Sequence, residues 1–315
     1  MNPIFMDGSS LPASYDRGVP QARQASWTAG GLLLIGLAAM LWGTSGSVMV
    51  VLADRAAASP LLVGLARLWL AAIVLLVATL VGGEPLAVAP GDRWRCIFMG
   101  ACMAGYQAAY FPAVTLGGIV IVALVAICSA PLVIAALAPR LLGEPRSRPV
   151  RVALGLGVVG TALLVAAPGA DLPARFVGGA LLALVAGLAY ALYVLAAKAS
   201  LARSAPLPLT ALTFTVAAVL LTPALFWIPA PGPQLALGWP WLLYLGAIAT
   251  AGAYAMYTVG LRHVPASVAG VTTLLEPLTA TILGVALFGE RLGAGGWLGA
   301  LLLLAALGLL MVYRR

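Results

Sequence analysis

Two ionisable residues sit where an apolar chain least tolerates them. Glu276 lies in the middle of the apolar run 267–288, directly before Pro277, and Arg67 lies a short way into the run 60–82. An ionisable group at the centre of a spanning helix costs about 2.5–3.5 kcal/mol on insertion scales, so each needs a partner or a task. A carboxyl at that depth can load and release a proton, or hold the ammonium group of a solute. Its structural alternative is an ion pair or a hydrogen bond to a neighbouring helix. Arg67 can anchor its helix by reaching toward the interface, or bind a carboxylate. Aromatic and polar side chains accompany them: Trp42 and Thr44 in the run 31–53, Tyr106, Gln107, Tyr110 and Phe111 in 94–114, Tyr190 and Tyr193 in 176–198, Tyr254 and Tyr257 in 239–261. Spacings of three and four place each tyrosine pair on one helical face, away from the interface belts where Tyr and Trp concentrate. Turned inward, such faces make apolar walls with hydroxyl handles, suited to aromatic or amphipathic solutes and, through the ring quadrupoles, to cations. Helix packing is the other reading of each ring.

Other chemistries lack their residues. There is no Gly-x4-Gly-Lys-Ser/Thr loop for a nucleotide and no Gly-x-Ser-x-Gly turn for a serine nucleophile. The cysteines Cys96, Cys102 and Cys128 read as small apolar packing residues, and no His/Cys/carboxylate set has metal-ligand spacing, so neither cofactor nor metal is expected. An intramembrane enzyme acting on lipid-linked substrates would need several convergent groups at one depth, where only Glu276 and Arg67 are available. The expectation is that the protein is not an enzyme. A membrane receptor that moves nothing is the third class.

The elements that must hold these residues follow from composition. Of 315 residues, 63% are apolar and 8% are charged, with a mean hydropathy of +1.08. Soluble domains carry roughly 25% charged residues, so a soluble enzyme, a disordered chain and a nucleic-acid-binding module are excluded. After a polar tail over 1–30, cuts at charges and Pro/Gly breaks leave ten apolar segments: 31–53, 60–82, 94–114, 117–139, 150–168, 176–198, 207–228, 239–261, 267–288 and 294–313. Each is long enough to cross a bilayer as a helix, and none alternates as a barrel strand would. With a cytoplasmic N-terminus, the inside loops and tails hold Arg17, Arg23, Arg93, Arg95, Arg140, Arg146, Arg148, Arg151, Lys198, Arg203, Arg262, Arg314 and Arg315, and the outside loops only Arg55, Arg175 and Arg291. That bias predicts both termini in the cytoplasm and accounts for the net charge of +8 without an acidic partner.

The second half repeats the first. Pro131 precedes Gly143-Glu144 as Pro277 precedes Gly289-Glu290, at an offset of 146, and Trp94 and Tyr110 fall on Trp241 and Tyr257 one residue further on. Five spans per copy force opposite orientations, giving an all-α integral membrane protein of ten transmembrane helices in two inverted five-helix repeats, 31–168 and 176–313. Secondary transporters commonly have this architecture, with the substrate site near the midplane between the copies. Prolines inside spans free backbone carbonyls at depth, so Pro131 and Pro277 are expected as paired gates. Small-residue faces, Gly179/Ala183/Gly187, Gly155/Gly157/Gly160 and Gly295/Gly299, predict close helix packing or a homo-oligomer contact. Glu144 and Glu290 read as structural charges closing their spans, Lys198 as a snorkelling lysine, and His263 as a solvated loop residue.

These motifs identify a resemblance. Leu-Trp42-Gly43, Pro60 and Arg67, Pro131 with Gly143-Glu144, Tyr190 and Lys198, and Pro277 with Gly289-Glu290 occur in the order and spacing of ten-helix, EamA-type members of the drug/metabolite transporter superfamily. The chain resembles them over about 31–313, except that the seventh span has no arginine to answer Arg67. The resemblance implies a transporter of the bacterial-type inner membrane that exports amino acids, other metabolites or toxic cations by alternating access, commonly with protons as the coupling ion. Its partners would be a small-molecule substrate and membrane lipid, with no nucleic acid.

Overall fold

The structure, a computed structural model, describes residues 28–117, 119–165, 176–289 and 293–313, and among these every regular element is helical. The first span is broken into α1 (Ala29–Gly43) and α2 (Ser45–Ala56), followed by α3 (Pro60–Val81), α4 (Arg93–Gly117), α5 (Ile119–Leu141) and α6 (Arg148–Val165). The second repeat runs through α7 (Phe176–Ser200), α8 (Pro206–Leu221), α9 (Pro231–Leu243), a π-helical stretch Tyr244–Gly252, α10 (Ala253–His263), α11 (Ala266–Thr272), α12 (Leu275–Phe288) and α13 (Ala294–Tyr313). The ten apolar segments are thus ten spans, in which α1–α2, α9–α10 and α11–α12 are interrupted single crossings. The N-terminal tail up to residue 27, Arg175, Glu290, Arg291, Arg314 and Arg315 lie outside the described residues.

Local chemistry sets the helix ends. Thr28 Oγ1 accepts from Gly31 N (3.1 Å) at the start of α1, and Ser59 Oγ accepts from Leu62 N (3.3 Å) ahead of Pro60, the first residue of α3. The repeated Gly-Glu pair has a backbone cause. Gly143 and Gly289 both have φ of +68°, the left-handed geometry that ends α5 and α12 and that disfavours any side chain.

The repeats interleave. α1 packs on α10 and α12, α4 on α7 and α8, and α5 on α7, while α3 lies on α8 and α6 on α13. Contacts between repeats therefore outweigh those within either one. The groups α4–α5–α7 and α10–α11–α12–α1 are inverted counterparts, and the pairs α3–α8 and α6–α13 straddle the pseudo-twofold. At α6–α13 a Cβ on Gly160 would meet Gly299 O at 2.8 Å, so small residues set that approach. Outward faces of α3, α7 and α13 carry Leu and Val to lipid, and exposed Trp94, Phe226, Trp227 and Trp239 lie toward span ends as interface anchors.

Outside the spans, one buried carboxylate ties the repeats together. Asp92, fully buried ahead of α4, accepts from Arg95 Nη1 (3.1 Å), Ser204 Oγ (2.9 Å) and the Arg203 guanidinium. Burial would raise the Asp92 carboxyl, but the hydrogen bonds from Arg203, Ser204 and Arg95 outweigh it and hold the group below its ordinary value of 3.8. A depressed carboxylate stabilises the fold above its unfolded pKa, and that contribution disappears as pH falls through the folded value. Asp92→Asn should lower stability by about 1–3 kcal/mol at neutral pH. The low end is favoured because the Arg95 and Arg203 side chains are 43% and 51% exposed and screened by solvent. The variant's deficit against the native chain should vanish in strong acid; thermal unfolding in detergent across pH checks both, and a deficit constant down to the acid limit would remove the charge from the account.

Candidate functional site

Three interruptions in the helices meet around Arg67 and Glu276. In the first span Thr44 Oγ1 donates to Leu41 O (2.7 Å), turning the chain between α1 and α2, and accepts from the Tyr244 hydroxyl at 2.8 Å. In the eighth, Thr250 Oγ1 donates five residues back to Leu245 O (2.6 Å), and Arg67 Nε donates to Thr250 Oγ1 at 3.1 Å. π-helical insertions of this kind recur at functional sites. In the ninth, the Thr272 and Thr273 hydroxyls donate to Val268 O (2.9 Å) and Gly270 O (2.8 Å), closing α11. α12 then restarts at Leu275, which puts Glu276 in a first helical turn where the dipole favours an anion. Small hydroxyl side chains can compete with backbone donors in this way because they are short enough to reach their own preceding turn.

The first and third interruptions touch. A Cβ on Gly43 would fall 2.6 Å from Glu276 O and 2.7 Å from Thr279 Cβ, so only glycine lets α1 lie against the start of α12. Broken helices crossing at depth leave polar backbone near a protein-lined site rather than in lipid. Arg67 and Glu276 are both half-buried and within electrostatic range of each other, and of Tyr106 and Tyr110 between them. They form no direct ion pair; among the described residues those pairs are made by Asp92 alone.

Below the charges lies an aromatic layer. The Trp42 ring is 4.8 Å from Tyr254, 5.2 Å from Tyr257 and 6.3 Å from Tyr190, between centroids. Tyr193 and Phe214 close on Tyr254 at 5.9 and 4.6 Å. Tyr106 stacks on Tyr110 (5.6 Å) and reaches Tyr190 (6.1 Å), joining the layer to the charges. Trp42, Tyr193, Tyr254 and Tyr257 are buried, whereas Tyr106 and Tyr110 are half-exposed. Within the layer Trp42 Nε1 and the Tyr190 and Tyr257 hydroxyls are buried with no hydrogen-bond partner; the two hydroxyls face one another without reaching bonding geometry. An orphaned polar group of this kind costs about 1–3 kcal/mol.

The structure thus brings together Trp42, Thr44, Arg67, Tyr106, Tyr110, Tyr190, Tyr193, Tyr254, Tyr257 and Glu276. Gln107 stands apart: its amide donates to Gly64 O at 3.5 Å, tying α4 to α3. The side chain of Phe111 lies outside the described set. Pro131 and Pro277 are not alike. Pro131 is inside continuous α5, beside Gly270 of α11, while Pro277 stands in the first turn of α12, where a missing N–H costs nothing. Lys198 does not snorkel. Its ammonium donates to Leu261 O (2.7 Å), Arg262 O (3.3 Å) and Val264 O (2.7 Å), at the end of α10. Thr250 and Tyr244 escaped sequence reading, since one hydroxyl in an apolar run carries no periodic signal; Arg67 requiring a partner was the only pointer to Thr250.

The comparisons with known proteins agree with this architecture. The sequence profile of the EamA-like transporter family matches residues 29–166 and again 177–312. A Bacillus subtilis (strain 168) protein named "Uncharacterized transporter YwfM" is 36% identical over 281 residues, spanning 89% of this chain and 92% of that protein. An "Uncharacterized transporter" of Archaeoglobus fulgidus is 28% identical over 174 residues, 55% of this chain and 60% of that one. A solved crystal structure superposes with a TM-score of 0.79 at 21% identity, over 90% of this chain and 97% of the other, which speaks to the fold alone. Two tandem matches to one family, an inverted ten-helix fold and helices broken at depth converge on one assignment: the chain belongs to the EamA-like transporter family of the drug/metabolite transporter superfamily.

Proposed function

We propose that the protein is a proton-coupled exporter of small amphipathic organic metabolites, amino acids or solutes like them, working by alternating access. The carrying observation is that Arg67 and Glu276 face a common half-exposed region beside Tyr106 and Tyr110 without neutralising each other in a direct pair. In this reading Arg67 takes the carboxylate of a zwitterion, Glu276 exchanges its ammonium group for a proton, and the tyrosines cover the apolar body. Both termini lie in the cytoplasm and the membrane is a bacterial-type inner membrane, on the strength of the Lys/Arg bias. The moving units are the interleaved helix groups rather than the two sequence repeats, because α1 travels with α10–α12 and α7 with α4–α5. Pro131, next to Gly270, lies where those groups meet and serves as a gating element, and Pro277 sets the restart of α12 beneath Glu276.

The test is efflux from vesicles reconstituted with the full chain and loaded with amino acids, small metabolites and organic cations, followed by mass spectrometry with and without a pH gradient. Selective efflux that responds to the gradient is the expected result; efflux indifferent to pH would leave an uncoupled carrier, and product formation without flux would favour the enzyme. Within the panel, phenylalanine should bind about 10–100-fold more tightly than phenethylamine, which lacks the carboxylate that Arg67 would meet. Equal affinity would return Arg67 to a structural role.

A further inference from the structure

Glu144 and Lys198 grip one corner of the chain from opposite sides. That corner, Val264-Pro265-Ala266-Ser267, joins α10 to α11. Glu144, just beyond Gly143 at the end of α5, accepts from Ala266 N, from Ser267 N (3.0 Å) and from Ser267 Oγ (2.6 Å). These are the free amides opening α11, so the carboxylate sits on the positive end of that helix. Lys198, near the end of α7, holds three carbonyls on the other side of the corner, from Leu261 to Val264, at the negative end of α10. Acid and base are thereby matched to the two dipole ends that meet there, and they are near enough to each other to interact electrostatically.

Both gripping residues belong to α4–α5–α7 and the gripped corner belongs to α10–α11–α12–α1. No motion of one group against the other that opens this end can leave the clasp intact. Directly above it Tyr257, within electrostatic range of Glu144, carries the fully buried part of the aromatic layer, with its orphaned hydroxyl facing Tyr190. Beyond that layer Arg67, Glu276, Tyr106 and Tyr110 keep partial exposure. The molecule is thus sealed toward the end that carries Arg93, Arg148, Arg203 and Arg262. Across the seal run a clasp of charged hydrogen bonds and a buried aromatic septum.

We propose that Glu144 and Lys198 are the latch of the gate at the arginine-rich end, and that release of the 264–267 corner is the step that opens the site to that side. They are positioning residues: neither touches the Arg67–Glu276 region. The inference rests on the alternating-access reading for its consequence, but its test needs no substrate. In a background with Cys96, Cys102 and Cys128 replaced by Ala, Thr44→Cys at the site is labelled by a membrane-impermeant thiol reagent applied to either face of reconstituted vesicles of known orientation. Glu144→Gln, and independently Lys198→Met, should raise labelling from the arginine-rich face about tenfold, as expected for a minor state brought from about 1% to about 10%. Labelling from the opposite face should fall. Rates unchanged from both faces, or raised alike from both as for a loosened fold, would overturn the latch. Lys198→Arg, which keeps the cation, should restore part of the native asymmetry, and failure to do so would remove the charge from the mechanism. Loss of flux with the labelling asymmetry intact would instead count against the transport reading alone.

Discussion

Replacing Glu276 by Gln should erase the response of transport to a pH gradient while the protein still folds, and should weaken solute binding through the lost ammonium contact. One pH unit supplies about 1.4 kcal/mol for each proton exchanged, enough for an accumulation ratio of about ten. The variant's ratio should fall to about one. The amide is isosteric, so the contact of the Glu276 backbone carbonyl with Gly43 and the first turn of α12 are preserved. What disappears is the one intramembrane carboxyl in a span that α11 and α12 break and that α1 supports. Uptake and efflux ratios in vesicles, with detergent thermal unfolding as the folding control, decide the matter. A variant that still accumulates solute tenfold across one unit would remove Glu276 from coupling and leave it as a charge partner for Arg67.

Gly43→Ala should be nearly as damaging for a different reason. The added methyl would lie 2.6 Å from Glu276 O and 2.7 Å from Thr279 Cβ, and backbone on the α12 side has no soft end to yield. Overpacking of this kind costs about 1–3 kcal/mol. Here it also separates the two interrupted helices that face Arg67 and Glu276, so flux should be lost even where the chain still folds. Gly46→Ala provides the control three residues on, since a Cβ there meets nothing within 4 Å. It should be neutral or slightly stabilising through helix propensity. Equal behaviour of the two variants would show that the crossing of α1 and α12 is not tight in the membrane.

The spans were legible because charge and Pro/Gly breaks punctuate an otherwise continuous apolar chain, and the boundaries drawn that way follow α3 to α7 and α13 to within a few residues, while the segment drawn to 228 ends as α8 at Leu221 and goes on as a 3-10 helix over Thr222–Trp227. The duplication was legible through Gly143-Glu144 and Gly289-Glu290, whose glycines share one left-handed turn. The interruptions at Thr44, Tyr244–Gly252 and Thr273 were not, because a membrane interior asks only that residues be apolar, and a kinked apolar segment reads like a straight one. Helix adjacency was equally hidden. Tyr106 and Tyr110 could be placed on one face by spacing, and they stack, but the approach of Trp42 to Tyr254 and Tyr257 depends on α1 crossing α10, which no periodicity encodes. For Glu144 the sequence showed only a structural charge closing its span, beside the negative end of its own helix. The resolution lay 122 residues away, at the amides of a different one.

In the proposed alternating-access cycle, two identical inverted copies would make the end states equivalent by a twofold rotation and equal in free energy, so that neither face would be preferred at rest. This chain breaks that degeneracy. The helix interruptions gather on α1–α2, α9–α10 and α11–α12, while their counterparts α4, α5 and α7 run uninterrupted, and Arg67 has a threonine, Thr213, at the matching place in α8. In that cycle a built-in energy difference between the two end states would follow, present with no gradient and no solute. Gradients decide which way material flows; the sequence decides on which side the empty carrier waits.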